Sequence, residues 1–230
     1  MTIKGLAKLT LLDFPGRVAC TIFTGGCNLR CPFCHNASLA VRSAEVDAIP
    51  EEELFSFLEK RRGILTGVCI TGGEPLLNPD IDPLIEKIRS LGYDVKLDTN
   101  GCFPDRLRAL IDRGLVDYVA VDIKNSRENY GRTVGIDGLD VSPIEKTVAL
   151  LKENRVPYEL RTTVVKELHS DEDFVSIGKW IEGAEAYYLQ CFNDSGDLIG
   201  EGLTAPSKAD LERFLHIVKQ YVTNTHIRGI

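Results

Sequence analysis

Apolar, β-branched runs recur through the chain at 18–23 (VACTIF), 67–71 (GVCIT), 94–99 (DVKLDT), 118–123 (YVAVDI), 158–165 (YELRTTVV) and 186–192 (AYYLQCF). Between and after them lie helical patterns, which predict helices over 50–62, 80–91, 104–114, 142–154, 170–182 and 207–222. The boundaries carry matching signals. Pro50 followed by three glutamates and Ser142-Pro143 read as helix starts, while Gly63, Gly92 and Gly114 stand where helices should stop. Strands alternating with helices imply parallel strands joined by right-handed crossovers, hence an α/β sheet or barrel.

The polar residues choose between the two. Nearly every strand ends in a chemically loaded stretch: TGGC, TGGEP, LDTNG, VDIKN, then Arg161 with Thr162 and Thr163, then QCFN. A TIM-type barrel collects its active site from the C-terminal ends of several strands, whereas a doubly wound sheet concentrates binding residues near one switch point. The expected fold is an α/β partial (β/α)6 TIM-type barrel, open on one side; a Rossmann-like sheet is the alternative. No linker or low-complexity segment divides the chain. Residues 1–230 are therefore read as one domain, with a core over about 18–192 and a C-terminal loop and helix over 193–230. Segments 125–141 and 193–206, rich in Gly and Asp, are expected as long loops on the active face.

Composition narrows the partners. The 230 residues are 43% hydrophobic, enough for a substantial core, and carry a net charge of −7. With no run of like charges, that balance argues against a nucleic-acid-binding role. The N-terminal apolar run is broken by Asp13, Pro15 and Arg17 and is followed by no small-residue cleavage site. No stretch approaches the roughly 20 apolar residues of a membrane span. The expectation is a cytoplasmic protein without a membrane partner. Its seven cysteines, an odd number, then read as free thiols and metal ligands rather than a disulfide framework.

Three of those cysteines are crowded into residues 25–36, GGCNLRCPFCHN. Cys31-x-x-Cys34-His35 spells a c-type haem attachment pattern, which the expected compartment removes. Cys27, Cys31, Cys34 and His35 would make a zinc site, but closed zinc sites usually pin two segments together, and these four lie within nine residues. Three thiolates on one loop would instead wrap three corners of an iron–sulfur cluster that usually takes four, leaving one iron for another ligand. Beyond the second strand, Gly72 and Gly73 allow close backbone approach by a ligand, and Glu74 is a carboxylate able to hold an amine; alone, the same four residues G-G-E-P read as an ordinary turn. Asp98 ends the third strand, and Asp122 and Lys124 share one side of the fourth. They would hold a hard cation and a ligand carboxylate, or simply form a salt bridge. Arg161, in an apolar strand, needs a partner, either a ligand carboxylate or an internal acid. Cys20 and Cys69 are read as core, Cys102 and Cys191 as rim residues without an assigned role, and His169, His216 and His226 as loop or helix-surface residues.

C-x3-C-x2-C after the first strand, G-G-E-P after the second and six βα units together resemble the radical S-adenosylmethionine (SAM) superfamily. Within it, CNLRCPFCHN, DTNG and DIK are similar to the activating enzymes of glycyl-radical enzymes, and LTLLDFPGRVACTIFTGGC is most like the activating proteins of anaerobic ribonucleoside-triphosphate reductase. The resemblance implies that Cys27, Cys31 and Cys34 bind one [4Fe–4S] cluster whose fourth iron chelates SAM. It places Phe33, His35 and Asn36 around the adenine and gives the methionyl amine to Gly72, Gly73 and Glu74. Asp122, Lys124 and Arg161 would contact SAM, with Asp98 and Asp122 completing a monovalent-cation site. A strand-six histidine of some members is replaced here by Gln190-Cys191-Phe192. The implied reaction is reductive cleavage of SAM and hydrogen abstraction from a glycine of a partner enzyme, with flavodoxin or ferredoxin as electron donor. The alternative is a radical SAM enzyme acting on a small molecule or a peptide side chain.

Overall fold

The computed structural model describes residues 2–229 and forms one eight-stranded sheet whose strands lie side by side in chain order. The six expected strands are β2 (Ala19–Thr24), β3 (Gly67–Gly72), β4 (Asp94–Thr99), β5 (Tyr118–Asp122), β6 (Tyr158–Val164) and β7 (Tyr187–Cys191). Each pairs in parallel with the next. A doubly wound sheet would reverse its order at a switch point; sequential order with parallel pairing is that of a barrel wall. Two further strands extend the wall. β1 (Ile3–Thr10) runs antiparallel to β2, and β8 (Thr225–Arg228) runs parallel to β7. The first and last strands do not pair with each other, so the barrel stays open between them.

Neither edge strand announces itself in the sequence. Ile3–Thr10 contains Gly5 and two lysines, and Thr225–Arg228 is only four residues long. Both take extended form because a neighbouring strand offers a ladder, a tertiary cause that local pattern does not carry.

The helices match expectation within a residue or a few: α2 (Glu51–Lys60), α3 (Ile81–Ser90), α4 (Pro104–Asp112), α6 (Ser142–Leu151), α7 (Asp171–Trp180) and α8 (Lys208–Val218). Two short ones join them, α1 (Ala37–Val41) after the cysteine segment and α5 (Tyr130–Val134) inside the expected loop 125–141. α3 shows the common logic: Ile81, Leu84, Ile85 and Ile88 form one buried stripe, and its charged residues lie on the other side. α7 and α8 each begin with a reciprocal cap, Ser170 with Asp173 and Ser207 with Asp210. Segment 193–206 has no helix or strand and is tied onto the cysteine segment. The backbone N–H of Ser38 and the Arg42 guanidinium both donate to Asp197 (2.9 Å each), and the Gly200 N–H donates to the Pro32 carbonyl (2.8 Å). Among the described residues no helix is long and apolar enough to cross a membrane.

Candidate active site

At the C-terminal ends of the strands lies a cavity of about 400 Å³, and Cys27, Cys31 and Cys34, all free thiols, stand on one wall of it. Backbone bonds fix that wall. The Gly26 N–H donates to the Leu39 carbonyl (2.8 Å), the Arg30 N–H to that of Val134 (2.9 Å), and the Gly73 and Glu74 N–H groups to those of Thr24 and Gly26 (2.9 and 2.8 Å). The loop after β3 therefore lies directly on the cysteine segment. A Cβ at Gly73 would sit 1.9 Å from the Gly26 carbonyl oxygen, and one at Gly72, whose φ is +111°, would sit 2.4 Å from the Thr24 nitrogen. The close approach these glycines permit is to the chain's own backbone at Thr24 and Gly26, and both still line the cavity.

Glu74 belongs to the same junction. Its carboxylate is fully buried and turned from the cavity, accepting from the Leu76 N–H (3.0 Å), the Thr99 hydroxyl (2.8 Å) and the Asn100 N–H (2.7 Å). Burial raises its pKa to about 7, against the pull of those three donors. With its oxygens so occupied, Glu74 staples the loop after β3 to the loop after β4. Asn100 continues the staple, its amide donating to Asn28 Oδ1 (2.8 Å) beside Cys27, and its Oδ1 accepting from the Cys102 N–H (3.0 Å).

The opposite wall is charged. Arg161 donates from Nε to Asp122 (2.6 Å) and from its terminal nitrogen to Asp98 (2.9 Å). Lys124 donates to the other Asp122 oxygen (2.9 Å), and the buried Lys96 to the other Asp98 oxygen. All four carboxylate oxygens thus face side-chain cations. Lys96, Lys124 and Arg161 thus supply positive charge at Asp98 and Asp122. Of the two partners open to Arg161, the internal acids are the ones it takes. Burial alone would raise both aspartates, but Arg161, helped by Lys124 at Asp122 and Lys96 at Asp98, holds them below the usual carboxylate range. Burial would likewise lower Lys124, and Asp122 reverses it. Deeper inside, Glu159 takes a two-pronged bond from Arg228 (2.8 and 2.9 Å).

The remaining expected residues frame the space between. Phe33 is buried, with the Lys124 ammonium 5.8 Å from its ring centroid. The Asn36 amide donates to the Gly72 carbonyl (3.3 Å). His35 is exposed, stacks on Phe192 and donates from Nε2 to the Asn193 carbonyl (2.6 Å), an engagement that turns it from the thiols and from the zinc role. Gln190 lines the cavity, whereas Cys20 and Cys69 are core as expected.

His169, expected on a loop or helix surface, is buried. Its Nδ1 accepts from the Val165 N–H (3.1 Å) and its Nε2 donates to the Lys124 carbonyl (2.9 Å). The buried Tyr130 hydroxyl accepts from the Lys124 N–H (3.2 Å) and donates to the Asp122 carbonyl (3.2 Å). Both backbone groups of Lys124 are therefore pinned.

Three thiols around a void suit a group with several metal atoms. Among the described residues no three His, Cys, Asp or Glu side chains converge as ligands of a single ion. Burial pushes the Cys31 thiol up to about 12 and raises Cys27 and Cys34 as well, with Lys124 opposing at all three. Thiols this disinclined to ionise become thiolates when a metal cation takes the proton's place, so the donor set fits an iron–sulfur cluster. Residues 21–181 match the Radical SAM superfamily.

The chain belongs to the radical SAM superfamily. Its full length aligns with a Methanocaldococcus jannaschii protein that carries a provisional name as a glycyl-radical enzyme activating enzyme, 32% identical over 99% of this chain and 96% of that one. A pyruvate formate-lyase-activating enzyme of Staphylococcus epidermidis is 28% identical over 80% of this chain and 76% of its own. Among solved structures, SuiB of Streptococcus suis bound to S-adenosylmethionine superposes with a TM-score of 0.69, at 18% identity, over 91% of this chain and 52% of that one. That likeness shares the fold. As a radical SAM enzyme, this one works with a [4Fe–4S] cluster and SAM.

Proposed function

We propose that this chain is a radical SAM activase that places a glycyl radical on a partner enzyme, and that the partner is an anaerobic ribonucleoside-triphosphate reductase. The observation that carries the reading is one cavity with three free cysteines on one wall and the Asp122–Lys124–Arg161 group on the other, in a chain whose whole length aligns with a glycyl-radical activating relative. Bound by Cys27, Cys31 and Cys34, a [4Fe–4S] cluster together with SAM would supply the one-electron radical chemistry by which hydrogen could be taken from a glycine Cα of the partner.

The protein's part is positioning and exclusion of water. Cys27, Cys31 and Cys34 would hold the cluster. Phe33 and Asn36 would line the nucleoside side, and the backbone at Gly72 and Gly73 would lie along the amine. Lys124 and Arg161, fixed by Asp98 and Asp122, would face the SAM carboxylate. His35 would close the rim, and flavodoxin or ferredoxin would deliver the electron.

The test is to incubate the reconstituted protein with SAM, reductant and a purified anaerobic ribonucleoside-triphosphate reductase, then record the electron paramagnetic resonance spectrum. A glycine-centred doublet is expected. SAM cleavage without that doublet from this reductase, but with one from a formate lyase, would reassign the partner. Cleavage with no doublet from either would favour a radical SAM enzyme of small molecules or peptide side chains.

A further inference from the structure

The cysteine segment is held in two halves by different parts of the chain. Cys27 and its neighbours lie against the loops after β3 and β4: the Glu74 N–H donates to the Gly26 carbonyl (2.8 Å), and the Asn100 amide donates to Asn28 Oδ1 (2.8 Å). Cys31 and Cys34 belong to the other half, residues 31–42, which the Asn36 amide ties to the sheet through the Gly72 carbonyl (3.3 Å). Among the described residues, the other hydrogen bonds from this half to distant parts of the chain all run to segment 193–206.

Those bonds follow the cysteine motif step by step. The Gly200 N–H donates to the carbonyl of Pro32, the residue after Cys31 (2.8 Å). The Asn193 carbonyl accepts from His35, the residue after Cys34 (2.6 Å). Asp197 then accepts from the Ser38 N–H with one carboxylate oxygen and from Arg42 with the other (2.9 Å each). The fit is also close in shape, because a Cβ at Gly200 would sit 2.6 Å from the Cβ of Pro32. The segment is anchored in turn: Leu198 packs against the core, and the Thr204 N–H donates to Glu167 (2.9 Å). The Arg42–Asp197 pair is half-exposed and worth little by itself. A main-chain N–H on a carboxylate is the stronger bond of the two.

We infer that Asp197 and Gly200 are positioning residues for the cluster: they clasp the half of the segment that carries Cys31 and Cys34, and so set how slowly iron leaves the site. A stretch bearing two of three ligands has to open before a chelator reaches the metal, and opening it here breaks the bonds to 193–206. This rests on the cluster that the superfamily brings and not on the identity of the partner. Because coupling is reciprocal, a clasp that slows loss of the cluster is itself held shut more firmly when the cluster is bound.

The experiment uses the full-length protein, reconstituted without oxygen and mixed with excess iron chelator, with release followed by absorbance. Asp197→Ala removes the acceptor of two bonds, and the methyl group of Gly200→Ala presses on Pro32. Each is expected to release iron about tenfold faster than the wild type. Asp197→Asn keeps an acceptor for the Ser38 N–H and should fall between the wild type and Asp197→Ala. The control is Asp210→Ala, which removes a carboxylate from the cap of α8, where it contacts Ser207 and Arg213; its release rate should be that of the wild type. In hydrogen-exchange mass spectrometry of the wild type, segment 193–206 should exchange more slowly in the loaded protein than in the iron-free one. A wild-type release rate for Asp197→Ala or Gly200→Ala overturns the inference, as does an equal acceleration by Asp210→Ala. Exchange in 193–206 that is the same with and without the cluster also overturns it, and that measurement needs no variant to fold. The activase reading stands or falls separately, on the glycine doublet.

Discussion

Cys27, Cys31 and Cys34 stand on a loop whose place is set by main chain: Thr24 and Gly26 carbonyls accept from Gly73 and Glu74, and a methyl group at Gly73 has nowhere to go. Across the same cavity, Asp98 near the end of β4, Asp122 and Lys124 at the end of β5 and Arg161 in the middle of β6 are set by one another's charge. The first wall is positioned by shape and should fail by collision. The second is positioned by Coulomb attraction in a dry interior and should fail when a charge loses its counterpart. Cluster and SAM sites make different demands: thiolates need a fixed spacing around a rigid cubane, whereas a ligand carrying both a carboxylate and an ammonium needs balanced charge.

The hardest blow to this contrast falls on Arg161. Arg161→Leu removes the guanidinium that spans Asp98 and Asp122, leaving each buried carboxylate with a single lysine. Breaking a buried pair in this way costs about 3–5 kcal/mol, measurable by urea unfolding at neutral pH. Arg161→Lys should recover only part of it, because an ammonium lacks the fork that serves both acids. A loss under about 1 kcal/mol for Arg161→Leu would mean that the charged wall is not held by charge.

Gly73→Ala tests the other wall. A Cβ 1.9 Å from a carbonyl oxygen forces the two loops apart, with an expected loss of about 3 kcal/mol and sharply lower iron per chain after reconstitution. Gly63 is the control: its φ of +77° is strained for alanine, but open space surrounds it. Gly63→Ala should therefore cost only about 1 kcal/mol and leave iron loading unchanged. Equal effects at the two glycines would remove the case for a backbone-set wall.

Legibility in the sequence followed the same division. The cysteine spacing, Gly-Gly-Glu-Pro and the six strand–helix units are local, and the parallel barrel wall followed from them. What escaped was long-range. Lys96 sits in an apolar strand as any solvent-facing lysine might, and only the fold shows that it points inward to Asp98. Glu159 and Arg228 are far apart in the chain and meet because β8 joins the sheet. Glu74 meets Thr99 and Asn100 across the fold, and sequence shows a carboxylate but not which donors surround it.

That carboxylate joins the two walls, and pH separates its contribution. Since Glu74 titrates near 7 when folded and near the ordinary carboxylate value when unfolded, folding takes up a proton at pH values between the two. Stability should therefore fall as pH rises through that window, by roughly 2 kcal/mol between pH 5 and 7.5. Glu74→Gln, which cannot ionise, should have lost that component of the slope. Parallel slopes for wild type and variant would show that Glu74 is ionised throughout.

The smallest effect concerns His169, which sharpens the contrast because it serves the charged wall through backbone. Its Nε2 faces the Lys124 carbonyl, an acceptor, and its Nδ1 faces the Val165 N–H, a donor. The neutral ring with its proton on Nε2 serves the Lys124 carbonyl and the Val165 N–H together. Nδ1 lies 3.1 Å from the Val165 carbonyl as well, so it is burial that decides: it disfavours the charged ring and lowers the pKa against the pull of the Lys124 and Val165 carbonyls and Asp173. Nitrogen NMR at neutral pH should therefore show the Nε2–H tautomer, persisting below the ordinary histidine midpoint of about 6.5. Because the unfolded chain takes up the proton first, this residue's contribution to stability should weaken as pH falls below that midpoint. His169→Phe keeps an aromatic ring on Phe174 and gives up both hydrogen bonds, for an expected loss of about 1 kcal/mol. Weaker SAM binding at unchanged iron content would then identify Lys124 as the displaced group. Unchanged SAM binding would mean that Tyr130, bonded to the other side of the same residue, suffices to hold it.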